Sequence, residues 1–265
     1  MKTSNILLVL AALIFMSFNF YNIKNKPRST NGLLGNEVIE TRDYIDFSIT
    51  TFLLGYRQDL SLDPSFSGLS LTTDENILDA IEKIGIQEFF SPDSINTDIL
   101  YRVIDNRHSQ MKHSNWMNII LGTKDLKTLN IKSNTWVKQD RPSKISTVDT
   151  VHFDYIYLSS SNQILTDCVI DAKTLVYHTV TGSKANKIAG KVNNMDIWAN
   201  GSSNIDATNL EVKNNISLKA NNQDTFAINT QNVTGIIEAG GVVDNHTKAK
   251  QNSINIIYGK YTEPE

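Results

Sequence analysis

The sequence predicts an all-β protein, built as a stack of short strands rather than as a sandwich of long ones. Apolar pairs flanking a single residue recur at Leu129-Ile131, Val151-Phe153, Leu175-Tyr177, Met195-Ile197 and Ile216-Leu218, with first members 22, 24, 20 and 21 residues apart. Ile236 continues this spacing, and a second offset appears in Ile205 and Phe226. Between the pairs lie polar corners such as TGSKANK, ANGSSN, ANNQD and EAGG. A repeat this short leaves its apolar row uncovered until the next copy stacks on it, which is the logic of a solenoid. Asn and Gly at the corners tolerate left-handed backbone angles. A β-sandwich, which also alternates short strands with turns, is the competing architecture.

In chain order, the first element is an uncharged run from Ile6 to Phe18, ILLVLAALIFMSF, extended to Tyr21 and preceded by Lys2. It has the form of an export signal, yet small residues are missing at the cleavage positions, so residues 1–23 read as an uncleaved signal anchor with a transmembrane helix over 6–21. Sixteen residues rise about 24 Å as a helix, slightly short of a hydrocarbon core of about 30 Å. Residues 24–42 are polar and turn-rich and read as a stalk, with Pro27 and Gly32 interrupting any helix. A single domain is expected over 43–260, followed by a tail over 261–265.

Within that domain, YIDFSITTF and LSLDPSFSGLSL alternate with a two-residue period and predict strands. Thr72 and Glu75 fit a capping box, predicting a short helical segment near residues 75–83. Asn118 to Leu121 resumes as a strand.

Composition narrows the function. The chain of 265 residues carries 25 Lys+Arg against 28 Asp+Glu, and this balance argues against a nucleic-acid partner. One cysteine, Cys168, cannot close an intramolecular disulfide, and in ILTDCVI it reads as a small buried hydrophobe. His152 and His178 follow repeated apolar positions, so with Asp154 or Asp171 they are formal metal-ligand candidates; outward-facing sheet residues are the simpler reading. Carboxylates are scattered without a spacing that demands the pair a glycosidase needs. No phosphate loop, zinc-protease helix or nucleophile elbow occurs, and nothing calls for a cofactor. Trp198 has the parity opposite to Met195 and Ile197 and shares its outward face with Asp196; Tyr155 and Tyr157 can line a comparable strip. These four residues form the candidate ligand surface.

Tyr44 to Ile49, Thr73 to Ile81 (TDENILDAI), Leu126 to Ile131, the polar-cornered strands after Ile145, and Ile254 to Gly259 (INIIYG) resemble the head GIN domain, a family described as putative auto-transporter adhesins. The chain departs from the family in having only 13 glycines, with Asn and Ser at many corners. The resemblance implies a right-handed β-helix-like solenoid, exported and placed at the cell envelope outside the inner membrane. It brings no catalytic residues with it.

The expected function is therefore a non-enzymatic, membrane-anchored envelope protein with a binding or structural surface, adhesion-related, whose partner is an envelope polysaccharide or protein. A carbohydrate-active enzyme on the same scaffold is one alternative. Lys24, Lys26 and Arg28 after the apolar run support another, a cytoplasm-facing sensory or scaffold domain on a tether.

Overall fold

The computed structural model describes residues 39–44, 51–54, 58–74, 90–91, 94–96, 117–133, 142–161, 164–180, 186–221 and 223–265. These residues form a β-solenoid of about six turns. The strands are β1 (Ile39–Tyr44), β2 (Thr51–Leu54), β3 (Gln58–Asp63), β4 (Ser67–Asp74), β5 (Phe90–Ser91), β6 (Ser94–Asn96), β7 (Met117–Thr123), β8 (Thr128–Ser133), β9 (Ser143–Thr147) and β10 (Val151–Ser161). They continue as β11 (Ile164–Val180), β12 (Asn186–Asn200), β13 (Asn204–Asp206), β14 (Leu210–Ala220), β15 (Thr225–Ile228), β16 (Asn232–Ile237), β17 (Gly241–Asn245), β18 (Gln251–Ile256) and β19 (Gly259–Thr262). The segments expected as anchor (6–21), stalk and short helix (75–83) lie outside the described residues, except for the last residues of the stalk, which begin β1. No helix among the described residues is long and apolar enough to cross a membrane.

Two walls run the length of the stack. The first is a parallel ladder through β6, β2, β8, β10, the later parts of β11 and β12, then β14, β16 and β18. The second begins antiparallel, with β1 on β4 and β4 on β7. It continues parallel through β3, β9, the starts of β11 and β12, then β13, β15, β17 and β19. Long β11 and β12 serve both walls because the chain bends within them.

Register explains the sequence pattern and corrects part of it. Inward rows stack as Leu129, Ile156, Leu175, Met195, Ile216 and Val233, and as Phe52, Ile131, Leu158, Tyr177, Ile197 and Leu218. Val151 and Phe153 do not belong to these rows. They start a separate one, Val151 over Ile170, Gly190 and Leu210, on the bend between the walls. Ile236 was expected to continue the core row, yet it lies opposite Lys219, faces outward and is 36% exposed. Val233 takes the core place because this coil is shorter. Ile205 over Phe226 holds as expected. Each fully covered Leu or Ile contributes about 1.5–3 kcal/mol, and only neighbouring coils supply the cover.

The corners follow the sequence expectation at Gly201 and Gly240 and differ from it at asparagine. Among the described residues, positive φ falls on glycines and on Ser202, Gln223 and Ala239, and on no asparagine. The asparagines act through their side chains. Asn186 accepts the Thr166 amide at 3.2 Å and donates to the Asn204 carbonyl at 3.1 Å. Asn245 accepts from the Thr230 amide at 3.1 Å and donates to its carbonyl at 2.9 Å. Buried Asp224 closes the corner after β14, accepting from the amides of Ser203 at 2.7 Å and Asn221 at 2.8 Å. Such amides would otherwise be buried donors without partners, each costing about 1–3 kcal/mol.

Cys168 sits in the core with its thiol directed to the Ile145 carbonyl, and burial pushes its pKa up to about 12. The thiolate is the reactive form. Iodoacetamide is expected to leave the native protein unmodified at neutral pH and to label it fully in denaturant, with intact mass as the readout; rapid native labelling would contradict the burial.

Candidate functional site

The outer surface of the first wall brings the four sequence candidates together. Outward positions of consecutive strands align as Tyr157, Val176, Asp196 and Ser217, and beside them as Ser159, His178, Trp198 and Lys219. Tyr155 lies in the neighbouring row, between Thr128 and Thr174, with Asn194 next. Tyr157, His178 and Trp198 form a continuous aromatic strip across three strands. Tyr157 and His178 meet edge to face at 5.2 Å, as do His178 and Trp198. A 3.3 Å hydrogen bond joins the Tyr157 hydroxyl to His178 Nδ1.

Strand spacing dictates this geometry, since residues one coil apart stand about 4.8 Å from each other. Partial burial lowers the His178 pKa against the opposing pull of Asp196, favouring a neutral ring that keeps its bond to Tyr157. Tyr155 is pushed the other way, its phenol raised by burial and by its neighbours Tyr157 and Asp196. Trp198 is 37% exposed. The patch therefore offers apolar ring surface bordered by a carboxylate and phenols, the means to hold an amphipathic ligand.

His152 and His178 both face outward, as the simpler sequence reading had it, while the structure separates the two as a metal-binding pair. His178 pairs across the ladder with Ser159 and Trp198, whereas His152 lies on the bend opposite Asp171. No group of three or more metal-ligating side chains exists among the described residues. The role of His178 as the middle ring follows from register, which the apolar pairs misplaced by grouping Val151 with Leu129.

The bend carries a concave feature of its own. An open groove of about 550 Å³ runs between the turn at Lys124 to Lys127 and the outward rows of β10, β11, β12 and β14. The turn is fixed to the stack because the Lys127 carbonyl accepts the amides of Asp154 at 2.8 Å and Tyr155 at 3.2 Å. One row runs from coil to coil as His152, Asp171, Lys191 and Glu211, alternating nitrogen-bearing side chains with carboxylates. The matching contacts are His152–Asp171 at 3.7 Å and Lys191–Glu211 at 3.6 Å. In the adjacent row Lys173 bonds Asp154 at 2.7 Å and holds that carboxyl below its ordinary pKa. Applying the coil spacing to charged residues would have exposed these rows; the sequence reading applied it only to apolar ones.

Among curated proteins, none matches this chain. Among solved structures, a crystallised putative lipid binding protein from Parabacteroides distasonis is similar, with a TM-score of 0.54 at 14% identity over 87% of this chain and 98% of that one. The likeness is one of fold. Residues 99–249, more than half of the chain, match the family described as putative auto-transporter adhesin, head GIN domain. By that match, and by the stacked strands that fill most of the matched region, the chain belongs to the head GIN domain family.

Proposed function

We propose that this protein is a non-enzymatic component of the cell envelope, which presents the aromatic strip of its first wall to a saccharide, in adhesion or in envelope organisation. The carrying observation is the alignment of Tyr157, His178 and Trp198 on successive coils, with Asp196 beside them. Pyranose rings have apolar faces that stack on aromatic side chains and hydroxyl rims that bond to carboxylates and phenols. A solenoid wall holds these groups at fixed spacing, so little ordering is needed on binding. The apolar run over 6–21 would tether the domain to the membrane, with the solenoid outside the inner membrane. Family membership supports an envelope setting.

A carbohydrate-active enzyme would need one carboxyl kept protonated near neutral pH. In the groove the Lys173 ammonium drives Asp154 the opposite way, which favours binding over hydrolysis. The lipid-binding description of the structural neighbour supplies no feature to this strip, whose rings are edge-paired on an open sheet.

Trp198→Ala is expected to weaken binding of neutral envelope oligosaccharides about five- to tenfold, the effect of one aromatic contact. Calorimetry with the purified chain is the measurement, and an unchanged melting temperature shows that the wall survives. Equal affinities for wild type and variant would reject the strip as the binding surface.

A further inference from the structure

We infer that the groove on the bend is a subsite for the acidic groups of a carboxylate-bearing polysaccharide, continuous with the aromatic strip; this rests on the saccharide reading above. Five lysines line the groove, Lys124, Lys127, Lys173, Lys191 and Lys213, against three aspartates, in a chain whose net charge is −3. The carboxylates are already engaged: Asp154 with Lys173, Asp171 with His152, and Asp125 with the Ser67 hydroxyl. Lys191 is held by Glu211. Lys124, Lys127 and Lys213 are exposed and make no ion pair among the described residues, although the Lys127 charge adds to that of Lys173 in lowering the Asp154 pKa. They stand on two sides of the slot, two on the turn and one on β14, where an anion between them would meet cations from both.

Position argues for a saccharide over a membrane surface. The apolar side chains at the groove, Leu126, Phe153 and Ala172, belong to the core or pack against it, leaving nothing to insert into a bilayer. The outward rows of the groove and those of the strip lie on the same strands, β10 to β12, with Asp154 immediately before Tyr155. Strip and groove are thus neighbours along the strands, which rise about 3.3 Å per residue, so a single chain running along β10 and β11 can place rings on the strip and acids in the groove. Lys213 reaches its place because β14 carries an extra residue there: the register shifts between Val192 and Asn194, setting two residues of β14 opposite one of β12.

The test compares an oligogalacturonate with a neutral oligosaccharide of equal length on the full chain, by calorimetry at low and high salt. The wild type should prefer the acidic ligand and lose that preference as salt rises. The triple variant Lys124→Gln/Lys127→Gln/Lys213→Gln should bind oligogalacturonate at least about tenfold more weakly while keeping its affinity for the neutral ligand and its melting temperature. Trp198→Ala should weaken both ligands. Neutral binding that depends on Trp198 with no preference for acid would overturn the groove and leave the strip intact. Lysine-dependent acid binding that ignores Trp198 would support the groove and remove the strip. Lysine-dependent binding to phosphatidylglycerol vesicles without binding to oligogalacturonate would overturn the assignment to a saccharide.

Discussion

Gly235→Ala is expected to destabilise the protein by about 3 kcal/mol or more, combining backbone strain with overpacking. Gly235 lies inside β16 with φ +143°, and a Cβ built there would stand 1.9 Å from the Leu218 carbonyl oxygen of the coil before. That oxygen belongs to the parallel ladder between β14 and β16. It cannot move without parting the coils that cover Leu218 and Ile216. Gly240 is the control. Its φ is +88°, yet a Cβ there meets only side-chain atoms at 3.5 Å or beyond. Gly240→Ala should therefore cost only the conformational part, about 1–2 kcal/mol. Urea midpoints of the two variants separate close approach from backbone angle. Equal losses would show that the contact between coils at Gly235 is not the limiting feature.

That contrast bears on how much could be read from the sequence. The fold class was legible because a solenoid repeats its inward positions, and Leu175-Tyr177, Met195-Ile197 and Ile216-Leu218 do stack in register. Register was less legible because coil length varies. From Ile216 the next inward residue is Val233, and Ile236, at the expected spacing, faces solvent. Val151 fits the interval by number but sits on the bend, since β10 runs along two faces and the pair that covers Leu129 and Ile131 is Ile156 and Leu158. Corner chemistry was also misassigned. Asparagine has two routes to a corner, a left-handed backbone or a side-chain amide that stitches coils, and composition does not distinguish them. Here Asn186 and Asn245 take the second.

The candidate surface was legible in part for the same reason. Strand parity turned Trp198 and Asp196 outward from the sequence alone, and their company with Tyr157 needed only one correct coil offset. Two errors hid the rest. Grouping Val151 with the wrong row paired His178 with His152, and the coil spacing was not applied to charge, which left the lysines of the bend unconnected. The last described strands mix both chemistries: the inward position of Val233 passes to Asn252 and that of Val243 to Tyr261, while Ile256, Ile257 and Tyr258 are exposed beside Gln251 and Lys260.

Tyr177→Ala should cost about 3–5 kcal/mol, as expected for emptying a filled core position, and Tyr177→Phe should still cost about 1–2 kcal/mol. Tyr177 is fully buried among Leu158, Ile197 and the rows beside them, yet it ends in a hydroxyl. That hydroxyl donates to Thr166 Oγ1 at 3.1 Å and lies 3.0 Å from Ser160 Oγ, both buried. Thr166 belongs to the second wall and Ser160 to the first, so a single side chain crosses the interior and ties the walls at the level of β11. Burial raises the phenol's pKa, which keeps it the neutral donor this position requires. Phenylalanine keeps the volume and strands two buried hydroxyls, whereas alanine also opens a cavity between the walls. A Phe variant as stable as wild type in urea denaturation would mean that Ser160 and Thr166 find other partners, and that shape alone holds the walls at this level. A loss at Phe approaching that at Ala would place most of the stabilisation in the hydrogen bonds.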